Sequence, residues 1–138
     1  MAESIRDKVA IIGMGLSKWG ERWDADIFDL ITEASTEAFK DAGVDRKQIE
    51  ACWVGYYIND LATMGTVVAQ TLQLQQLPIT RVENGCASGS EAIRGAAFGL
   101  AAKQYDLVLA LGFEKLKDFG FGGLVTAGAP GKVYPMYA

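Results

Sequence analysis

Histidine is missing from all 138 residues. The commonest general base of enzymes is therefore absent, and any cysteine–histidine chemistry must take its base from elsewhere. Cysteine is scarce too. Cys52 and Cys86 are the whole complement, and they form no C-x-x-C pair. No disulfide framework is encoded, so a reducing cytoplasm is the expected compartment. Positive charge is in deficit, with 13 basic against 17 acidic residues and a net charge of −4. General nucleic-acid binding, which needs a basic face, is excluded as an expectation. No apolar run approaches the ~20 residues of a membrane span. The N-terminus is charged (Glu3, Arg6, Asp7, Lys8) and lacks the apolar core of a signal peptide. No internal repeat or low-complexity tract occurs.

Familiar ligand loops are absent as well. Gly13-Met-Gly15 follows an apolar run, but Lys18 stands where G-x-G-x-x-G requires glycine. Gly128-Ala-Pro-Gly-Lys132 fails as a phosphate loop, because Thr126 and Val133 occupy the required glycine and Ser/Thr positions. Asn84 and Ser88 hold the glycine sites of a G-x-S-x-G elbow. No metal-binding cluster is evident.

What remains is a half-hydrophobic chain of one-domain size, long enough for a core. Lys8 to Leu16 predicts a buried first strand, with Val9, Ala10, Ile11 and Ile12 in sequence. A helix is expected from Asp26 to Ala42, capped by Asp24 or Asp26 and closed by Gly43. Ile49–Tyr57 predicts a second strand that buries Cys52. A short helix over Leu61–Leu74, opening near Thr63, comes next. Pro78–Glu83 is the third strand, residues 86–104 the third helix, and Leu107–Leu111 a fourth, enclosed strand. The order βαβαβαβ implies an α/β fold with a parallel or mixed sheet and helices on both faces. After Glu114, glycines 120, 122, 123, 128 and 131 mark a loop rather than another βα unit.

Cys86 is the candidate site residue. It falls where the third strand turns into the third helix, facing helix-terminal N–H groups and the positive end of a dipole, which favour a thiolate. Gly85, Ala87, Ser88 and Gly89 are small and give a substrate clearance to reach the sulfur. The alternative is a small buried hydrophobe, as many free cysteines are. Ser88-Gly-Ser-Glu91 fits a capping box, with Ser88 as the cap and Glu91 reaching back. That role is preferred to Glu91 as a base. Glu114-Lys115 predicts a structural ion pair or turn contact.

Glu83-Asn-Gly-Cys-Ala-Ser-Gly-Ser-Glu-Ala92 resembles the nucleophile motif of the thiolase superfamily. Leu107-Val-Leu-Ala-Leu-Gly-Phe-Glu-Lys115 resembles the following segment in its sterol-carrier-protein-x type, and Val9-Ala-Ile-Ile-Gly-Met-Gly15 the family's first strand. The resemblance implies that residues 1–116 are an N-terminal thiolase half-domain and 117–138 the start of a loop domain. It implies that Cys86 is acylated by an acyl-CoA, with coenzyme A thioesters as substrates and no bound cofactor. A homodimer through the strand Ile79–Asn84 is expected, and a zinc-ribbon/OB-fold accessory protein is compatible. The family's histidines and second cysteine have no counterparts here. The chain is therefore expected to be part of a longer thiolase, with a split-enzyme subunit or a non-catalytic scaffold as alternatives. A ketosynthase-like condensing enzyme is the other enzymatic reading, and a steroid-CoA aldolase is conceivable.

Overall fold

The structure, a computed structural model, describes residues 4–57, 63–116 and 118. The glycine-rich stretch after residue 118 lies outside them, as does all but residue 118 of the expected start of a loop domain.

Helix α1 spans Ile27–Ala42. Its start is set by Asp26, whose carboxylate accepts the Asp29 N–H while Asp29 reciprocates to the Asp26 N–H. Asp24, the other candidate cap, pairs instead with Arg22. Gly43 ends the helix in the left-handed conformation, φ 68°. A 3₁₀ turn at Arg46–Gln48, which periodicity does not announce, leads into strand β1, Ala51–Gly55. Helix α2 covers Met64–Leu72, inside the expected span; residues 61 and 62 are outside the described set. Strand β2 is Ile79–Val82, helix α3 Ser88–Ala101, and strand β3 Val108–Gly112.

The strands form one sheet in the order β2-β1-β3. Both pairings are parallel, so no antiparallel pair of a mixed sheet occurs among the described strands. Alternation along β1 divides the fold into layers. Cys52 and Val54 join Leu109 and Leu111 of β3 on one face, packed with Ile31 of α1 and Val68 and Leu72 of α2. Trp53 and Gly55 point the other way, onto α3. Helices thus cover both faces. β3 is less enclosed than expected: Leu109 and Leu111 are buried, while Ala110 is exposed.

The expected first strand is not one. Residues 8–16 pair with no described strand, and Ile11, Ile12, Met14 and Leu16 are all exposed. The segment lies on α1 instead. Met14 N–H donates to Asp41 Oδ2 (2.9 Å), Leu16 N–H to Glu37 Oε2 (2.7 Å) and Lys18 N–H to Glu33 Oε1 (3.1 Å). Two extended residues advance about 6.6 Å and four helical residues about 6.0 Å, so alternate amides meet carboxylates one turn apart. Gly13 and Gly15 permit the approach: a Cβ on Gly15 would stand 2.0 Å from the Ala34 carbonyl oxygen. A groove of about 570 Å³ runs between this segment and β3. The apolar run signals burial, but an extended segment becomes a strand only where a neighbouring edge accepts its hydrogen bonds.

Candidate active site

Cys86 lies in the turn between β2 and α3, exposed to solvent. The chain leaves β2 at Val82 and reverses through Asn84–Ala87. Ala87 N–H donates to the Asn84 carbonyl (2.9 Å) and Ser88 N–H to the Gly85 carbonyl (3.1 Å). Gly85 adopts φ +53°, the left-handed region where a side chain is strained. Among the described residues, a Cβ at Gly85 or at Gly89 would meet nothing within 4 Å, so these leave the space beside Cys86 open. The helix begins two residues after the cysteine, with Ala87 in the cap position.

The expected capping box does not form. Ser88 is already helical, and α3 has no side-chain cap. Its hydroxyl turns back: Oγ accepts the Asn84 N–H (2.9 Å) and donates to the Gly85 carbonyl (2.7 Å). Glu91 pairs with Arg94 through Nε (3.0 Å) and Nη2 (2.5 Å). The Arg94 guanidinium holds the Glu91 carboxyl below the usual carboxylate range, with a smaller contribution from the Asn84 side chain. A carboxyl so stabilised as the anion is a weaker proton acceptor, which counts against Glu91 as a base.

Glycines seat the helix on the sheet. A Cβ on Gly55, at the end of β1, would fall 2.4 Å from the Ser88 carbonyl oxygen. Gly112, at the end of β3, lies 3.7 Å from Gly89 Cα by the same measure. Gly95 and Gly99 press against the Trp53 ring. The C-terminal ends of β1 and β3 therefore meet the first turn of α3 directly, and the Cys86 turn sits at that junction. Sequence reasoning missed Gly55 and the backward-facing Ser88. A glycine closing an otherwise apolar strand was the available signal for the first, since a strand interior gains nothing from glycine unless another backbone approaches.

Cys52 is fully buried in β1, as expected, and burial pushes its thiol up to about 12. Glu114 accepts the Tyr57 N–H (3.0 Å), while Lys115 Nζ donates to the carbonyls of Arg22 (2.9 Å) and Ala25 and pairs with Asp118 (2.8 Å). Both tie loops together, in keeping with a turn contact. Strand β2 is an edge among the described strands. Its Thr80 and Arg81 are exposed, whereas Ile79 and Val82 are half-buried. Among the described residues no cluster of three or more His, Cys, Asp or Glu side chains could hold a metal ion, and no helix is long and apolar enough to cross a membrane.

This chain is similar to several known proteins. An acetyl-CoA acetyltransferase of Methanothermobacter thermautotrophicus is 39% identical over 114 residues, covering 80% of this chain and 30% of the relative. Bovine sterol carrier protein 2 is 32% identical over 114 residues, covering 81% of this chain and 21% of the relative. The chain thus spans less than a third of the length of these relatives. Among solved structures, 3-oxoacyl-[acyl-carrier-protein] synthase III from Aquifex aeolicus superposes with a TM-score of 0.63 at 15% identity, over 78% of this chain and 45% of that one. An acetyl-CoA acetyltransferase from Syntrophomonas wolfei gives 0.59 at 20% identity, over 70% and 26%. The two structures share the fold with this chain. Residues 9–121 match the family model described as Thiolase, N-terminal domain, and the chain belongs to the thiolase family.

Proposed function

We propose that Cys86 is the nucleophile of a thiolase-type acyltransferase that forms or cleaves 3-ketoacyl-CoA. The observation that carries this reading is an exposed thiol in an open turn at a strand-to-helix junction. In the first half-reaction Cys86 Sγ attacks the thioester carbonyl carbon of an acyl-CoA. The bond to the coenzyme A sulfur breaks, the acyl group passes to Cys86, and the thiol proton ends on coenzyme A. In the second, a deprotonated acyl-CoA carbon takes the acyl group and regenerates the cysteine. Backbone N–H groups of the turn and first helical turn are suited to stabilising the oxyanion of each step. With no histidine in these 138 residues, the proton acceptor is a group outside them. Residues 1–116 are then the half-domain carrying the nucleophile, with a loop domain beginning at 117. The β2 edge is the surface through which two copies would pair, closing an otherwise open strand.

The absence of histidine supports a second reading, a non-catalytic subunit. One experiment separates the two. Acetyl-CoA should acetylate the peptide containing Cys86, detected by mass spectrometry, and should protect Cys86 from iodoacetamide at neutral pH. In an assembly that supplies the missing proton acceptor, a Cys86 that neither takes up acetyl nor is protected is not the nucleophile.

A further inference from the structure

The Ser88 hydroxyl is committed in an unusual direction. A serine at a helix start commonly offers its oxygen to N–H groups of its own first turn. Ser88 instead bridges back over Cys86, accepting the Asn84 N–H and donating to the Gly85 carbonyl. It is 6% exposed, so water has little access to replace either bond. Its own carbonyl rests against Gly55, which fixes Ser88 to the end of β1. The turn it clamps includes a glycine in the left-handed region with no described residue packed beside it. Left unclamped, such a glycine can change its φ and ψ freely.

We infer that Ser88 is a positioning residue: it transmits the rigidity of β1 to the Asn84–Gly85 turn and so fixes where the Cys86 sulfur points. This rests on the reading of Cys86 as the nucleophile. Misplacing a reacting atom by about 1 Å can cost on the order of 100-fold in rate. Ser88→Ala should therefore slow acetylation of Cys86 by acetyl-CoA about tenfold or more. Ser88→Thr, which keeps the oxygen, should recover most of that loss.

Cys52 serves as the internal control for folding, because it reacts only when the core opens. Slow acetylation in Ser88→Ala with Cys52 unreactive supports the proposal. An unchanged rate and pH profile, with Cys52 unreactive, overturns it. If Ser88→Ala exposes Cys52, amide exchange in the unaltered chain decides. The Asn84 N–H should then be protected ~100-fold or more, and exchange at the rate of an unstructured peptide overturns the proposal. A Cys86 that is not acetylated at all, in an assembly that supplies the proton acceptor, sinks the nucleophile reading instead. The Asn84 amide then still reports whether Ser88 holds the turn.

Discussion

Cys52 sits within β1 with no solvent exposure, and Cys86 lies exposed in the turn before α3. Cys52 shares one apolar core with Ile49, Val54, Val68, Leu72 and Leu109. Around Cys86 are glycines that leave space and a serine that holds backbone. The contrast shows what distinguishes a structural thiol from a candidate nucleophile. It is the element that carries the residue and what the neighbours leave open, since the side chain is the same. Gly55 connects the two sites, three residues along β1 from Cys52 and in contact with Ser88 beyond Cys86.

The strongest test of that connection is Gly55→Ala. The added Cβ meets backbone, with the Ser88 oxygen at 2.4 Å and the Gly89 nitrogen at 2.9 Å, so no side chain can swing aside. The first turn of α3 must lift from the sheet. We expect a loss of about 3 kcal/mol, the upper part of the range for overpacking, read from urea unfolding. In molecules that remain folded, Cys86 should change its alkylation rate while Cys52 stays sealed. A fully stable Gly55→Ala variant would break the comparison, because α3 would not be seated through that glycine.

A smaller effect separates the cysteines by pH. An ordinary thiol loses its proton near 9.0, and Cys52 in the fold keeps its proton up to about 12. Between those values the unfolded chain binds fewer protons than the native one, so stability falls as pH rises. Below 9.0 the contribution is fully present. From pH 9 to 10 the expected loss is about 1 kcal/mol, and Cys52→Ala should remove it. The unfolding midpoint of the two chains, compared at each pH, isolates this from the other groups that titrate there. Equal slopes would mean that Cys52 is not sealed.

Much of this layout was legible in the residues. Asp26 and Gly43 bracket α1 by local chemistry, since a capping carboxylate and a left-handed glycine act within one turn. Cys52 falls in a run of apolar and aromatic residues whose burial needs no knowledge of a partner. Cys86 was placed at its junction because turn and helix signals abut there. Ser88 was misread because a capping box and a backward clamp use the same residues; only the path of the turn chooses between them. The N-terminal segment was misread for a different reason. Val9 to Ile12 announces an apolar extended run, but the hydrogen-bond partners of a strand lie elsewhere in the chain. Here they are the carboxylates of α1.

That segment gives the smallest and most local test, because its backbone bonds go to α1 and not to the strand or turn that carries either cysteine. Its amides at 14, 16 and 18 depend on Asp41, Glu37 and Glu33. The three carboxylates are on exposed positions of α1. Glu33 is held below the usual carboxylate range, first by the Lys18 N–H and then by Arg22. Its contribution is present at neutral pH and lost on acidification through the lowered value. Replacing Glu37, the central rung, by Gln keeps an acceptor and removes the charge. The bond from Leu16 N–H then drops from a charge-assisted to a neutral one, a loss of about 0.5–1 kcal/mol. Hydrogen exchange at Leu16 should accelerate several-fold, with Met14 and Lys18 affected less. Cys52 should remain unreactive and Cys86 unchanged, since neither site leans on the segment. If Glu37→Gln instead exposes Cys52, the N-terminal segment is part of the core, and the division drawn between a sealed layer and an attached strap fails at that point.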